Sequence, residues 1–592
     1  MTPAIQQLQQ QLAREPDDPG LHYELGRCYL ALNQVTLAEA AFSTALTLAP
    51  DHPQILMQLG NVASKCGNEA LAADYFRQSL QQDAQQADVH FNLANSLRKL
   101  DQQTAAIHHY QQALRFNPQD ADIYNNLGNA YRETGQLDLA VSAYEQALKL
   151  NPQLVHARVH WIHQKQHMAD WAGLEQAIQA VRQALTRQAH AQIPPFAFLA
   201  MPGTTHAEQQ QCASLWAQHH YGNVQPLPTP SARSTARKIK LAYLSSDFRK
   251  HPLAYLVTDV IAAHHRQQFE VSLYSQAKDD SSAERKQFVA AADHWIDIAT
   301  LTDAEVAAHM RAADIDCLID LTGFTQNSRS GIAAYRPARC HINWLGYPGS
   351  LGQLHDRSLF DVILLDDTLN HGQFAEKAVA LPCYQPNNHQ RPAVDAGSRA
   401  QHGLPEQGFV FCSFNQSFKI TESVFASWMR ILQQVPDSVL WLLACNPWAT
   451  RNLQQAAQLA GVDPDRLVFA PRADIASHIA RQAHADLMLD TTPYNAHTTA
   501  SDALWQGIPL LTVAGDTFPA RVSASLLSYI EVPECICSDW HSLEQQAILL
   551  ATHPETLQAL KAKVKQQAAR LFDAQAFCRH LEQVYQTLVY AA

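Results

Sequence analysis

Leucine and small residues recur every 34 positions between Leu25 and Leu148. Four leucines are each followed by glycine or alanine, and the same interval separates four aromatic residues later in each unit. The pairs are Leu25-Gly26, Leu59-Gly60, Leu93-Ala94 and Leu127-Gly128, and the aromatic residues are Phe42, Phe76, Tyr110 and Tyr144. The pattern predicts two helices per unit, because the small residue of the first helix leaves room for the ring of the second.

A helix pair repeated at this period is typical of tetratricopeptide repeats. Residues 1–153 are therefore predicted to form a tetratricopeptide-repeat superhelix, an α-solenoid whose concave face binds extended peptides. Asparagines recur at two positions of the first helices, at Asn61, Asn95 and Asn129 and at Asn92 and Asn126. A carboxamide both donates and accepts hydrogen bonds, so we expect this row to bind a peptide backbone of any sequence. The alternative is ordinary solvated helix residues, since the first repeat carries Glu24 and Arg27 there.

The hydrophobic pattern changes after the repeats. Residues 154–236 continue as a helical bridge without the 34-residue period and end in a polar linker at 225–236. Two tandem series of short, β-rich apolar runs follow, with helical segments such as 304–312 between some of them. The runs are 239–244, 269–274, 317–321, 341–345 and 362–365, then 409–413, 439–444, 467–470, 487–489 and 510–513. Alternating strands and helices predict two doubly wound parallel sheets, in an N-terminal lobe (237–395) and a C-terminal lobe (396–592).

Composition narrows the function. A net charge of −12 does not suggest a nucleic-acid partner, which usually requires a basic face. The eleven cysteines are scattered and include no CxxC pair, which favours reduced thiols over a zinc site or disulfides. Residues 1–16 show no secretory signal, and no apolar run approaches the roughly 18 residues of a membrane helix. We therefore expect a cytoplasmic protein with no membrane partner.

Polar residues follow the predicted strands of the N-terminal lobe, where doubly wound sheets bind ligands. Asp247 and His251 come after the first strand and are suited to proton transfer in a cleft, although a helix cap would use the same residues. Gly346 and Pro348 form a turn after another strand. Such a turn can bring backbone amides close to a ligand, or it can be a turn only.

The C-terminal lobe offers a site for a diphosphate. Lys419 stands after a strand and just before a helix, where a positive charge and free N–H groups suit an anion. His497, Thr498 and Thr499 follow another strand at a helix start, and either cap that helix or bind phosphate. Asp502 would repel a phosphate, so we expect it to bind sugar hydroxyl groups instead.

These motifs, in this order, resemble the O-GlcNAc transferase family, including its plant Spindly branch and bacterial relatives. The matching segments are the repeats, SSDF-x-x-HP from residue 245, L-x-G-x-T at 321–325, RPA at 336–338, WLGYPG at 344–349, FNQ-x-x-K at 414–419 and HTT-x-x-D-x-LW-x-G-x-P from residue 497. The resemblance implies a GT-B fold and a UDP-sugar donor. It also implies inverting, metal-independent transfer, most simply of GlcNAc, to Ser or Thr of proteins presented by the repeats.

By motif match, the resemblance assigns roles to individual residues. Gln416 and Lys419 would contact the diphosphate and uridine, and Lys419 would stabilise the leaving group. Asp247 and His251 would act at the reacting hydroxyl group. The remaining donor-binding residues would be Ala473, His478 and Arg481 at the uracil, His497, Thr498 and Thr499 at the diphosphate, Asp502 at the ribose, and Gly346 and Pro348 on the sugar side.

The chain also departs from the family. Ile475 aligns with a second lysine of animal members, residues 194–196 replace a histidine of the bridge, and residues 253–255 replace Thr-x-His. The donor sugar therefore stays open between GlcNAc, fucose and glucose, and a non-catalytic scaffold that binds a nucleotide sugar is a further alternative. Two Asp-x-Asp sequences, 314–316 and 463–465, have the spacing of a metal site but precede their strands. We expect neither a metal nor any other cofactor.

Overall fold

The structure is a computed structural model that describes residues 2–187, 192–230 and 237–590. The chain divides into two compact units, Met1–Gln164 and Lys165–Ala592. The last residues of the predicted linker, 231–236, lie outside the described residues. Among the described residues, none of the helices combines the length and the hydropathy needed to span a bilayer.

The first unit consists of antiparallel helix pairs. Its helices are α1 (Pro3–Leu12), α2 (Pro19–Ala31), α3 (Val35–Leu48), α4 (Pro53–Lys65), α5 (Glu69–Gln82), α6 (Ala87–Lys99), α7 (Gln103–Phe116), α8 (Ala121–Glu133), α9 (Leu137–Leu150) and α10 (Val155–His167), which continues into the second unit. The predicted partners meet: a Cβ on Gly60 would lie 2.5 Å from the Phe76 ring, and one on Gly128 would lie 2.7 Å from Tyr144. The close approach of each helix pair therefore depends on the small residue.

The second unit begins with α11 (Leu174–Arg187), α12 (Pro195–Leu199) and α13 (His206–Tyr221) and continues into two parallel sheets. The first sheet has seven strands in the order β3-β2-β1-β4-β5-β8-β9, and a separate hairpin joins β6 and β7. Its elements are β1 (Ile239–Ser245), α14 (Ala254–Ala263), β2 (Phe269–Ser275), α15 (Ala283–Ala291), β3 (His294–Asp297), α16 (Asp303–Ala312), β4 (Cys317–Asp320), β5 (Cys340–Asn343), β6 (Gln353–Leu354), β7 (Arg357–Ser358), β8 (Val362–Leu365) and β9 (Lys377–Ala380).

The second sheet has six strands in the order β12-β11-β10-β13-β14-β15. Its elements are β10 (Phe409–Ser413), α17 (Glu422–Gln434), β11 (Ser438–Leu443), α18 (Pro447–Leu459), β12 (Leu467–Ala470), α19 (Ile475–Arg481), β13 (Leu487–Leu489), α20 (Thr498–Trp505), β14 (Leu510–Val513), α21 (Val522–Tyr529), β15 (Ile536–Cys537), α22 (Trp540–Thr552), α23 (Pro554–Ala568) and α24 (Ala574–Tyr590). The fold class predicted from the sequence, a repeat solenoid followed by two doubly wound lobes, is confirmed.

The order of the strands locates the two ligand edges. In the first sheet the chain winds outwards in opposite directions from β1 and β4, and in the second sheet from β10 and β13. Ligands of doubly wound sheets bind at such a switch point, beyond the carboxyl ends of the strands. Asp247 and His251 follow β1, Lys419 follows β10, and His497 follows β13. The predicted chemistry therefore lies at both switch points.

Helix α24 lies with the first sheet, although the sequence assigned residues 396–592 as a whole to the C-terminal lobe. Cys578, Leu581 and Tyr585 are buried in the same core as Tyr243 of β1. The Tyr585 hydroxyl lies 3.1 Å from that of Tyr243, and Glu582 bonds to His264 at 3.1 Å. The apolar face of α24 thus returns the end of the chain to the N-terminal lobe.

Candidate functional site

Lys419 lies at the centre of the loops that follow β10 and β13. Its Nζ donates a hydrogen bond to the Asn495 carbonyl at 2.8 Å and lies 4.2 Å from the centre of the Tyr494 ring. Burial lowers the pKa of Lys419 to about 7, although the Asp490 carboxylate opposes this shift. An anion beside the ammonium group would raise the pKa again, so the site is prepared to receive negative charge.

The N-terminus of α20 lies beside this lysine. His497 stacks on Tyr494 at 4.8 Å, and its Nε2 donates to the Pro519 carbonyl at 3.3 Å. Burial and the nearby Lys419 charge hold the pKa of His497 well below its usual range, so the ring is neutral. Thr498 and Thr499 begin the helix, where backbone N–H groups lack helical partners.

Asn415 connects the two loops. It accepts a hydrogen bond from the Thr499 hydroxyl at 2.8 Å and donates to that of Thr491 at 2.9 Å. Asn415 therefore ties the loop that carries Lys419 to the start of α20, an arrangement that suits an anion. Gln416 immediately precedes the single 3-10 turn that carries Lys419.

Two of the three residues predicted at the uracil, His478 and Arg481, lie against the ring of Phe414, which follows β10. The His478 ring meets Phe414 edge-on at 5.2 Å, and the Arg481 guanidinium lies 5.4 Å from the centre of that ring. Arg481 donates to His478 Nδ1 at 2.7 Å, and burial, together with the Arg481 charge, lowers the pKa of His478 to about 4. His478 is therefore neutral with its proton on Nε2, while Ala473 is exposed just before α19.

Asp502 is almost completely buried in α20, with an exposed fraction of 2%. Burial raises the pKa of Asp502 to about 6, and Arg391 opposes the shift from 3.5 Å away. Sequence reasoning missed Arg391, which lies in the segment between β9 and β10 that forms the connection between the two sheets. A buried carboxylate usually needs a cationic partner, so the sequence could have indicated that Asp502 has one. It could not have identified that partner as Arg391.

In the N-terminal lobe, Asp247 and His251 lie close but are not hydrogen-bonded. His251 Nδ1 is 3.8 Å from Asp247 Oδ2 and accepts a hydrogen bond from the Leu253 N–H at 3.3 Å. In the neutral ring the proton is therefore on Nε2. Burial lowers the pKa of His251 more than the Asp247 charge raises it, and the imidazole is 39% exposed.

The turn after β5 requires glycine at position 346. Gly346 has φ +41°, and a Cβ there would lie 2.3 Å from the Leu321 carbonyl oxygen. Gly346 is exposed, whereas Pro348 is buried within the turn. Of these two residues, Gly346 therefore offers the backbone that a ligand can approach.

In the first unit, four of the five predicted asparagines line one cavity of about 300 Å³. Asn92 donates to Asn61 at 2.9 Å, and Asn126 donates to Asn95 at 3.1 Å. Asn129 is not part of this lining and instead accepts from the Tyr144 hydroxyl at 2.8 Å. The row thus contains two hydrogen-bonded amide pairs, each joining the first helices of neighbouring repeats.

The sequence of the second compact unit, which contains both sheets, matches a known family over most of its length. Residues 218–387 and 386–581 match Glycosyl transferase family 41. The chain belongs to glycosyl transferase family 41. Residues 121–154 match the tetratricopeptide repeat, and residues 4–124 match the tetratricopeptide domain of cytochrome c-type biogenesis protein H.

Two relatives of this family-41 chain are named as N-acetylglucosaminyltransferases. The probable UDP-N-acetylglucosamine–peptide N-acetylglucosaminyltransferase SEC of Arabidopsis thaliana is 32% identical over 59% of this chain and 37% of its own length. The Caenorhabditis elegans UDP-N-acetylglucosamine–peptide N-acetylglucosaminyltransferase is 26% identical over 58% of this chain and 40% of its own length. The match therefore spans well under half of each relative.

A solved structure has the same fold. A point mutant of Thermobaculum terrenum O-GlcNAc transferase superposes with a TM-score of 0.62 at 24% identity. The superposition covers 96% of this chain and 97% of that one. At this identity the likeness concerns the fold alone.

Proposed function

We propose that this protein transfers GlcNAc from UDP-GlcNAc to Ser or Thr hydroxyl groups of other proteins, with inversion and without a metal. One observation carries the proposal: Lys419 and the N-terminus of α20 meet at the switch point of the second sheet. Preorganised positive charge where a diphosphate departs is the main electrostatic requirement for such a transfer. The family and the names of the relatives support this donor class.

The proposed reaction exchanges one bond at the anomeric carbon for another. The acceptor oxygen attacks that carbon while its bond to the diphosphate breaks on the opposite face, so the configuration inverts. The bonding electron pair leaves on UDP, beside Lys419 and the first N–H groups of α20. The hydroxyl proton passes to Asp247 or to an oxygen of the donor α-phosphate.

His251 acts in this proposal by positioning rather than as the base. Its Nδ1 lone pair already accepts the Leu253 N–H, so the neutral ring presents an Nε2–H donor. We expect His251→Ala to lower kcat by about 10²-fold, and His251→Asn to recover part of the loss because an amide also donates. Steady-state kinetics from pH 5.5 to 8 measure both effects. An inactive Asn variant, together with a wild-type acid limb below pH 6.5 that Asp247→Asn shifts to lower pH without removing it, would make His251 the base.

The proposal needs no divalent cation, because the Asp-x-Asp pairs serve other contacts. Arg237 and Arg339 neutralise both Asp314 and Asp316, with N–O distances between 2.7 and 3.3 Å. Asp463 caps a short turn by accepting from the Asp465 N–H at 3.0 Å.

We therefore expect transfer rates in excess EDTA to equal those in EDTA already saturated with Mg²⁺. An initial-rate assay on metal-stripped protein makes the comparison. Activity that disappears in EDTA and returns with Mg²⁺ or Mn²⁺ would contradict the mechanism.

The first unit supplies the protein acceptor in this proposal. The cavity of asparagines offers amide donors and acceptors that match a peptide backbone, and Arg98 and Lys99 also line it. These two cations are paired with Glu133 and Glu69, so the cavity has little net charge. Backbone recognition of this kind tolerates many acceptor sequences.

The donor sugar is tested with a panel of nucleotide sugars. Full-length protein is incubated with UDP-GlcNAc, UDP-glucose and GDP-fucose, and binding and hydrolysis are measured for each. We expect preference for UDP-GlcNAc. Preference for another sugar would retain the transferase and change the donor, whereas binding without any turnover would indicate a scaffold.

A further inference from the structure

Arg391 occupies the meeting point of three parts of the second unit. Its Nη1 donates to the Tyr255 carbonyl of α14 at 3.1 Å, and its Nη2 donates to Asn387 Oδ1 at 2.9 Å. The same Nη2 lies 3.5 Å from Asp502 Oδ1 in α20. One guanidinium thus joins the N-terminal lobe, the connection and the C-terminal lobe.

Aromatic rings hold the guanidinium in place. Its Cζ lies 5.9 Å from the centre of the Tyr255 ring and 5.7 Å from that of Phe572. Arg391 is only 6% exposed. A planar group bonded at its edges and packed against rings has a fixed orientation, and an arginine remains charged when buried.

The distance between the Arg391 guanidinium and the Asp502 carboxylate is longer than that of a hydrogen-bonded ion pair. A charge-assisted hydrogen bond between these groups is usually about 2.7–2.9 Å long. Among the described residues, three buried atoms of this cluster make no hydrogen bond: Arg391 Nε, Asn387 Nδ2 and Asp502 Oδ1. A pair with a purely structural role is expected to close this distance, so the geometry favours a carboxylate held for a further partner.

The electrostatics give Arg391 a specific effect on Asp502. Burial raises the pKa of the Asp502 carboxyl to about 6, and Arg391 is the charged group that lowers it. Burial lowers the pKa of Arg391 itself, and the charges of Asp502, Tyr255 and Asp259 oppose that shift. Without the guanidinium, the pKa of Asp502 would rise further and the carboxyl would be protonated near neutrality.

We propose that Arg391 is a positioning residue for the donor: it keeps the Asp502 carboxylate anionic and oriented to accept hydrogen bonds from the ribose hydroxyl groups. The inference rests on the proposed function, because it needs a nucleotide sugar bound at α20. Arg391 itself touches Asp502 rather than the donor.

Calorimetric binding of UDP-GlcNAc between pH 5.5 and 9 tests the proposal. The phosphates of this donor do not titrate in that range. The effect of Asp502 is measured as the ratio of the Kd of a protein carrying Asp502→Asn to the Kd of its parent at the same pH. This ratio cancels the titration of Lys419, which both proteins share. The parents are wild type, Arg391→Met and Arg391→Lys, with Arg430→Met as a control that removes an exposed arginine paired with Glu544.

In wild type and in Arg430→Met, we expect a ratio of about ten above pH 7 that falls towards one below pH 6. In Arg391→Met the ratio is expected to be near one at pH 7 and to grow as the pH rises to 9. Arg391→Lys loses the planar two-nitrogen geometry of arginine and, when buried, holds its charge less firmly, so at pH 7 it should give a ratio between those of wild type and Arg391→Met.

A ratio that is the same in all four parents at every pH would overturn the proposal, as would a wild-type ratio of one. If Arg391→Met does not fold by thermal melting, the Arg391→Lys series decides between the same outcomes. A purely structural pair would change the melting temperature without moving the pH dependence of the ratio. If wild type binds no UDP-GlcNAc, the proposed function itself fails.

Discussion

Lys419→Ala is expected to lower kcat by about 10²-fold or more, the usual loss when one group that stabilises a leaving charge is removed. The ammonium group is fixed by the Asn495 carbonyl and the Tyr494 ring at the point where the proposed diphosphate would leave. Burial lowers the pKa of Lys419 to about 7 without donor. Binding of an anionic donor should therefore take up a proton and weaken as the pH rises above 7.

Transfer kinetics and calorimetry in buffers of different ionisation enthalpy measure these two effects. Lys563→Ala, which removes an exposed lysine paired with Glu534, is the matched control and should leave both unchanged. Lys419→Met should abolish the proton uptake. A Lys419→Ala variant with kcat within threefold of wild type would remove Lys419 from the site.

Deletion of residues 1–151 is expected to abolish the modification of long protein acceptors and to spare slow hydrolysis of the donor. The deletion leaves α10 intact and removes every predicted peptide-binding asparagine, whereas the described donor-site contacts all lie within the second unit. Donor hydrolysis and labelling of protein acceptors are measured on the same preparation, after thermal melting shows that it is folded.

A quadruple variant of the full-length chain controls for the truncation. Asn61, Asn92, Asn95 and Asn126 are replaced together by alanine, which empties the cavity of its amides without shortening the protein. This quadruple variant should lose the labelling of protein acceptors and keep the hydrolysis of the donor, as the deletion is expected to do. If the folded truncated protein modifies long acceptors at the wild-type rate, the repeats serve another purpose.

Periodicity and strand patterns predicted most of the fold because they reflect buried faces. The spacing of Gly60 and Phe76 indicated a helix contact that the structure contains, and every buried central strand was found within two residues of its observed bounds. The missed strands lack such a signal. Strands β3 and β9 lie at the sheet edges with half-exposed side chains, and β15 has only two residues.

The candidate site was predictable where its residues follow a strand. Lys419, His497 and Asp247 could be placed because the carboxyl ends of parallel strands converge at a switch point. Arg391 could not, because it reaches Asp502 from a connecting segment without regular structure. The return of α24 to the first sheet was also missed, since an apolar helix face does not identify its partner.

The most direct test of the central claim is the transfer itself. Full-length protein is incubated with UDP-GlcNAc and a mixture of protein acceptors, and modified residues are mapped by mass spectrometry, with the anomeric configuration determined by NMR. The account predicts one N-acetylhexosamine on Ser or Thr, in the β configuration opposite to that of the donor, and dependent on Lys419. Bound UDP-GlcNAc with no sugar on any Ser or Thr, or a sugar that retains the α configuration, would contradict it.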